Sequence, residues 1–166
     1  MRLYTAPGQM NSLSGKNILV HRESEFSFTA ETKLTFDPLD GTQAGLTCYY
    51  STATYIRFNV TKKDGKPLVE LVINRNLGEE TVAEAEIEQS EIYLRVVTHM
   101  QTRRFLYSTD GENYVEFGEI EPCTFLCDEG VPTDRKRHTG TLTGIFAHSQ
   151  SGAKIPADFD YFSMKY

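Results

Sequence analysis

The sequence predicts an all-β fold: one domain, residues 1–166, built as a two-sheet antiparallel β-sandwich. Three observations predict it. Ten Phe and nine Tyr stand beside no Trp, a supply of rings that suits pleated, half-buried surfaces. Apolar and polar residues alternate with period two from Glu25 to Phe36, as a strand with one buried face requires. Turn-forming clusters recur about every ten residues, and no long segment keeps the 3.6-residue period of a helix. A chain of this length buries roughly 70% of its unfolded surface, enough for one core without covalent staples.

The elements follow in order. The first sixteen residues, rich in Ser, Gly and Asn, read as an irregular lead-in. Phe26, Phe28, Ala30, Thr32, Leu34 and Phe36 then share one face of a strand, with Glu25, Ser27, Thr29, Glu31, Lys33 and Thr35 on the other. Asp37-Pro38-Leu39-Asp40-Gly41 ends it. Residues 43–51 and 55–61 are expected to form a hairpin closed around Ser51-Thr52-Ala53-Thr54. Asp64-Gly65 turns the chain into residues 68–74. Residues 81–88 and 91–98 read as a further pair, and residues 103–108 and 114–117 flank Asp110-Gly111, a strong hairpin signal. A charged loop, 128–138, leads to strands over 141–148 and 158–164. In the last of these, Phe159 and Tyr161 are expected to look inward between Asp158 and Asp160.

Charge and cysteine usage narrow the partners. The net charge is −6, with 23 acidic against 17 basic residues. Nucleic acid is excluded, because the phosphate-neutralising interaction would be missing. The basic cluster Arg135-Lys136-Arg137-His138 sits among turn formers and reads as a solvated loop. Three cysteines do not make a disulfide framework, and Cys123 and Cys127 have no further ligands nearby to complete a zinc site. No apolar run is long enough to span a membrane, so no membrane partner is expected, and a cytoplasmic setting is favoured over a secreted one. A neutral glycan fits this charge balance.

Several strands carry polar side chains on one face. Tyr55, Arg57 and Asn59 alternate with Ile56, Phe58 and Val60; Tyr93 and Arg95 alternate with Ile92, Leu94 and Val96; Glu70 stands between Val69 and Leu71. If these strands are neighbours, one sheet presents rings and planar polar groups together, the parts that bind sugars. The alternative is a solvated or inter-domain face. Glu84, Glu86 and Glu88 would also share a face at roughly 6.6 Å spacing, near the carboxyl separation that glycoside hydrolysis uses. With no aromatic floor beside them, they read better as a charged edge that resists strand pairing. Glu31 and Asp160 are candidate oxygen ligands for a structural calcium. The histidines stand apart, and no phosphate loop, nucleophile elbow or triad order appears.

One set of segments carries a resemblance. Arg2-Leu3-Tyr4, Phe28-Thr29-Ala30-Glu31-Thr32, Ala44-Gly45-Leu46, Tyr49-Tyr50, Leu94-Arg95, Tyr107-Ser108-Thr109-Asp110-Gly111, Thr139-Gly140 and Ala157-Asp158-Phe159-Asp160-Tyr161-Phe162 occur in an order that resembles the C-terminal β-sandwich of glycoside hydrolase family 43 β-xylosidases and α-L-arabinofuranosidases. The resemblance implies a concanavalin-like jelly roll that packs on an N-terminal catalytic propeller of the same parent chain. That propeller would supply the acid and base for removing xylose or arabinose from oligosaccharides. The sandwich would stabilise the enzyme and shape the mouth of its pocket through the loop before Thr139-Gly140. In this chain the loop carries Arg137 and His138 where the family often places an aromatic residue. The resemblance also strengthens the expectation of calcium at Glu31 and Asp160.

The leading expectation is therefore a non-catalytic accessory domain, an excised piece of a larger hydrolase. One alternative is a free-standing carbohydrate-binding module making weak glycan contact through the Tyr55, Arg57, Glu70, Tyr93 and Arg95 face. The other is a sandwich glycanase using Glu84, Glu86 and Glu88.

Overall fold

A computed structural model describes residues 1–14, 17–76 and 78–166. Thirteen strands build the described chain: β1 (Arg2–Tyr4), β2 (Ala6–Pro7), β3 (Ile18–Arg22), β4 (Ser27–Phe36), β5 (Thr42–Ser51), β6 (Thr54–Lys63), β7 (Lys66–Arg75), β8 (Glu79–Glu86), β9 (Glu91–His99), β10 (Thr102–Ser108), β11 (Val115–Ile120), β12 (Leu142–Ser149) and β13 (Pro156–Lys165). They form two layers. One sheet runs β1-β13-β4-β9-β10-β11; the other runs β2-β12-β5-β6-β7-β8, with β3 also laid along β12. All pairings are antiparallel except the short contact of β2 with β12. The expected all-β sandwich is the observed architecture.

The alternation in the sequence builds the core. Leu34, Phe36, Ile92, Leu94, Val96 and Phe105 from one sheet meet Leu46, Ile56, Phe58, Val69, Leu71 and Ile145 from the other. Each such side chain, fully removed from water, contributes about 1.5–3 kcal/mol. Phe58 sits edge-on to Phe105, with ring centroids 5.5 Å apart, and stacks on Phe117 at 5.7 Å. Gly45 is required by close approach: a Cβ there would lie 2.4 Å from the Phe58 carbonyl oxygen and 2.6 Å from Asn59 Cα.

Three expectations need correction. The lead-in is not irregular throughout, since β1 pairs with β13 and β2 with β12; residues 15 and 16 lie outside the described residues. Strands β8 and β9 are not partners. β8 borders β7 in one sheet, and β9 lies between β4 and β10 in the other. The short link between them crosses the sandwich, because Ala83 and Ala85 and then Ile92 and Leu94 all pack on the same core from opposite layers. Finally, Tyr161 does not look inward. The register of β13 slips between Phe159 and Tyr161, so the extra residue, Asp160, reverses the alternation. Phe159 is buried, whereas Tyr161 turns out beside Lys33.

Candidate functional site

The polar residues expected on one sheet are divided between two. Tyr55, Arg57 and Glu70 lie on the outer face of the seven-stranded sheet, opposite core residues Ile56, Phe58, Val69 and Leu71. Tyr93 and Arg95 lie on the outer face of the six-stranded sheet, opposite Ile92, Leu94 and Val96. The core separates the two groups.

On the seven-stranded sheet the three predicted residues converge. Arg57 is buried (3% exposed) and donates from Nε and Nη2 to both oxygens of Glu79, at 3.1 and 2.8 Å. Its Nη1 is shared among Glu70 Oε1 (2.9 Å), Asn59 Oδ1 (2.9 Å) and Gln43 Oε1 (3.0 Å). Tyr55, fully buried, donates its hydroxyl to Glu79. Burial pushes the Glu79 carboxyl up, but attraction to Arg57 and the hydrogen bonds from Arg57 and Tyr55 outweigh it and hold the group below the usual range. Burial also raises the Tyr55 hydroxyl. Glu70 Oε1 also accepts from Asn59 Nδ2 at 3.0 Å, so Arg57, Glu79 and Glu70 are tied to one another within the domain. Glu79 was missed in the sequence because it follows a turn. The register that pairs Asn74 with Glu79 and Tyr55 with Asn74 brings it within reach of Arg57 across β7.

The six-stranded sheet gathers its polar residues around Glu31. Tyr114 donates to Glu31 Oε2 at 2.9 Å, Tyr161 donates to Oε1, and Arg95 donates from Nε to Oε2. The Arg95 guanidinium lies over the Tyr114 ring, 3.5 Å from its centroid, a cation–π arrangement. Lys33 bridges Glu91 at 3.0 Å and Asp160 at 3.1 Å. Burial raises the Glu31 carboxyl, yet hydrogen bonds from Tyr161, Arg95 and Tyr114 prevail and lower it. Tyr114 and Tyr161 were not singled out as ligands of this carboxylate; Tyr161 reaches it only through the bulge at Asp160.

The calcium expectation can be weighed against this geometry. Calcium takes six to eight oxygens, whereas Glu31 is engaged by a guanidinium and two phenols and Asp160 by an ammonium. Among the described residues no group of three or more His, Cys, Asp or Glu is placed to hold a metal. With Glu31 and Asp160 so engaged, this donor set does not offer the oxygen shell that calcium takes.

Glu84 and Glu86 lie on edge strand β8, paired with Lys63 at 3.3 Å and Lys66 at 2.7 Å, and Glu88 follows the strand end. The open hollow beside them, formed by Lys63, Lys66, Leu68 and Ala85 among others, contains no aromatic ring. These carboxylates form a solvated edge.

The loop after β11 is organised from within. Three 3-10 turns, Thr124–Leu126, Asp128–Gly130 and Thr133–Arg135, carry Phe125, Leu126 and Val131 into the core; the side chain of Arg135 lies outside the described ones. Tyr50, at the end of β5, donates its hydroxyl to Asp128 and accepts from the Arg137 N–H at 2.7 Å. Asp128 accepts from the His138 N–H at 3.2 Å and faces His138 Nδ1 at 3.3 Å. His138 has φ of 56°, a left-handed conformation held by these contacts, and its side chain is 78% exposed. The hydrogen bond from Tyr50 lowers the Asp128 carboxyl below its ordinary value. Arg137 and His138 are thus presented on a braced backbone. Tyr50 and Asp128 brace it, and neither is marked by a local sequence signal.

The two-layer architecture is that of concanavalin A-like sandwiches, and the comparisons narrow it further. Residues 1–165 match the family model described as the β-xylosidase C-terminal concanavalin A-like domain, and the chain belongs to that family. It is 32% identical over 151 residues to a xylan 1,3-β-xylosidase of a Vibrio species, covering 89% of this chain and 28% of that protein. It is 29% identical to a putative β-xylosidase of Escherichia coli (strain K12), covering 98% of this chain and 31% of the relative. Among solved structures, the GH43 BlXynB protein of Bacillus licheniformis superposes with a TM-score of 0.93 at 37% identity, over 99% of this chain and 32% of that one. A xylan β-1,4-xylosidase of Bacillus halodurans C-125 superposes at 0.90 with 26% identity, over 99% of this chain and 32% of its own length. The chain therefore spans about a third of each of these relatives.

Proposed function

We propose that this chain is a non-catalytic accessory domain of a family 43 glycoside hydrolase acting on xylo- or arabino-oligosaccharides. In the intact enzyme it docks on the N-terminal catalytic propeller and helps to shape the mouth of the catalytic pocket. The observation that carries the reading is coverage: 89% and 98% of this chain match only 28% and 31% of relatives named a xylan 1,3-β-xylosidase and a putative β-xylosidase. The acids of the chain support it, since Glu31, Glu70, Glu79, Glu84 and Glu86 each have a cationic partner. The braced loop that presents Arg137 and His138 is the segment suited to the pocket mouth, because its backbone is fixed while the His138 ring, beside Asp128, keeps most of its surface exposed to meet a neighbour.

Two measurements test this. The chain alone should release no product from aryl-xyloside or aryl-arabinoside; sustained turnover that survives repeated purification would reject the accessory role. In the intact parent enzyme, His138→Ala should raise KM for oligosaccharides with little change in thermal midpoint, and Tyr50→Phe should do so in the same direction by loosening the brace. Unchanged kinetics in both variants would remove the loop from the pocket.

A further inference from the structure

Phe26, just before β4, and Met100, in the turn between β9 and β10, stand side by side at one end of the sandwich, where the Met100 N–H donates to the Phe26 carbonyl at 2.7 Å. Phe26 is 73% exposed and Met100 57%, and no aromatic ring among the described residues is more exposed than Phe26. Met100 also has φ of 54°, where a tight hairpin turn favours glycine or asparagine. The turn between β6 and β7 meets the same demand with Asp64 and Gly65, at φ of 53° and 78°. A long apolar side chain held in this region is kept at a conformational cost. The same end of the sandwich carries the loop that presents Arg137 and His138. The Cys123 N–H donates to the Gln101 carbonyl at 2.8 Å and the Glu23 N–H to the Thr141 carbonyl at 3.1 Å, so both feet of that loop are tied to the segments that carry Phe26 and Met100. A cavity of about 220 Å³ lies between the apolar pair and those feet, with Cys123, Cys127 and Thr141 in its wall.

We propose that Phe26 and Met100 are the anchors on which the catalytic domain of the parent chain docks, with an apolar side chain of that domain seated in the cavity beside them. This rests on the accessory role and adds to it the surface of contact. Large apolar side chains gathered at one exposed spot mark contact sites, and aromatic rings and methionine are enriched at the buried centres of interfaces. The flexible thioether of Met100 can follow the contour of a partner. Two observations identify the occupant. This chain superposes on only 32% of each of the two solved relatives, so a larger body stands beside this fold in those proteins. The hydrogen bonds from Gln101 and Glu23 to the loop feet also mean that a body seated on the pair fixes how His138 is presented. On the outer sheet faces, by contrast, the polar groups around Arg57 and Glu31 are already tied to one another, so covering them gains little.

The test is the rate at which dilute hydrogen peroxide converts Met100 to its sulfoxide, read by peptide mass spectrometry in this chain alone and in the intact parent enzyme. The reaction should run about tenfold slower in the parent. Phe26→Ser in the parent should restore the fast rate, and the same substitution should leave the thermal midpoint of this chain alone unchanged. Equal rates in the two wild-type proteins overturn the proposal. Amide hydrogen exchange, compared in the same pair of proteins, then separates the two possible failures. Slowing on another surface of the sandwich, with Met100 still reactive, removes the anchors and leaves the accessory role standing. No slowing anywhere in this domain within the parent removes both. Protection of Met100 that develops in this chain alone as its concentration rises would assign the pair to self-association and also overturn the proposal.

Discussion

Arg57 carries more of the seven-stranded sheet's outer face than any residue beside it. Its guanidinium is desolvated, and Glu79 and Glu70 compensate for that. Removing the cation while leaving the carboxylates makes the network unfavourable, because an unpaired buried charge is worse than no charge. Arg57→Met should lower unfolding free energy by about 3 kcal/mol, and Arg57→Met/Glu79→Gln should recover part of the loss in chemical denaturation. The same network fixes a pH dependence. The folded Glu79 carboxyl lies below its reference value of 4.5. Its contribution is therefore complete above about pH 4.5 and declines as pH falls from there through the folded value. The midpoint of Glu79→Gln should vary less with pH in that acid window. The sequence showed Tyr55, Arg57 and Glu70 on strands of the right parity, and the structure joins them. It could not show Glu79, whose place depends on the turn between β7 and β8, nor Tyr50 and Asp128, which meet from positions far apart in the chain.

At the scale of elements, alternation was the readable signal and pairing was not. Residues 43–51, 55–61 and 68–74 were legible because polar and apolar residues alternate along them, and each falls within an observed strand; the alternation over 25–36 marked β4 from Ser27 onward, and the Asp110-Gly111 turn marked 103–108. The separation of β8 from β9 was not, since two consecutive strands with a short link look alike whether they pair or cross between layers. The bulge at Asp160 was also hidden, because one added residue in β13 leaves no mark in composition yet turns Tyr161 to the other face. Gly45 offers a test of how tightly these strands are pressed together. Its substitution by Ala should destabilise the domain by about 2 kcal/mol, because the methyl carbon would overlap backbone atoms of β6 that cannot move singly. An unchanged thermal midpoint in Gly45→Ala would contradict this.

The whole molecule is held together by partners remote in sequence. β4 lies inside the six-stranded sheet between β9 and β13, and β1 completes the sheet by adding to β13. Such non-local pairing slows folding. Removing residues 156–166 should leave β4 as an edge with open N–H and C=O groups. That variant is expected to form aggregates, read by light scattering, at concentrations where the full chain stays monodisperse. The family and the two-layer architecture were legible from ordered segments spread along the chain, while the division of polar residues between two outer faces required the strand order.

The position of β13 has a consequence during synthesis. A ribosome that has delivered β4 has made neither of the two ribbons that will flank it; β9 comes later, and β13 follows every other strand described. For most of translation the nascent sheet therefore has an open flank that any neighbouring chain could occupy. Chaperones that shield exposed backbone, or a sibling domain already folded alongside, would protect it until the closing ribbon arrives.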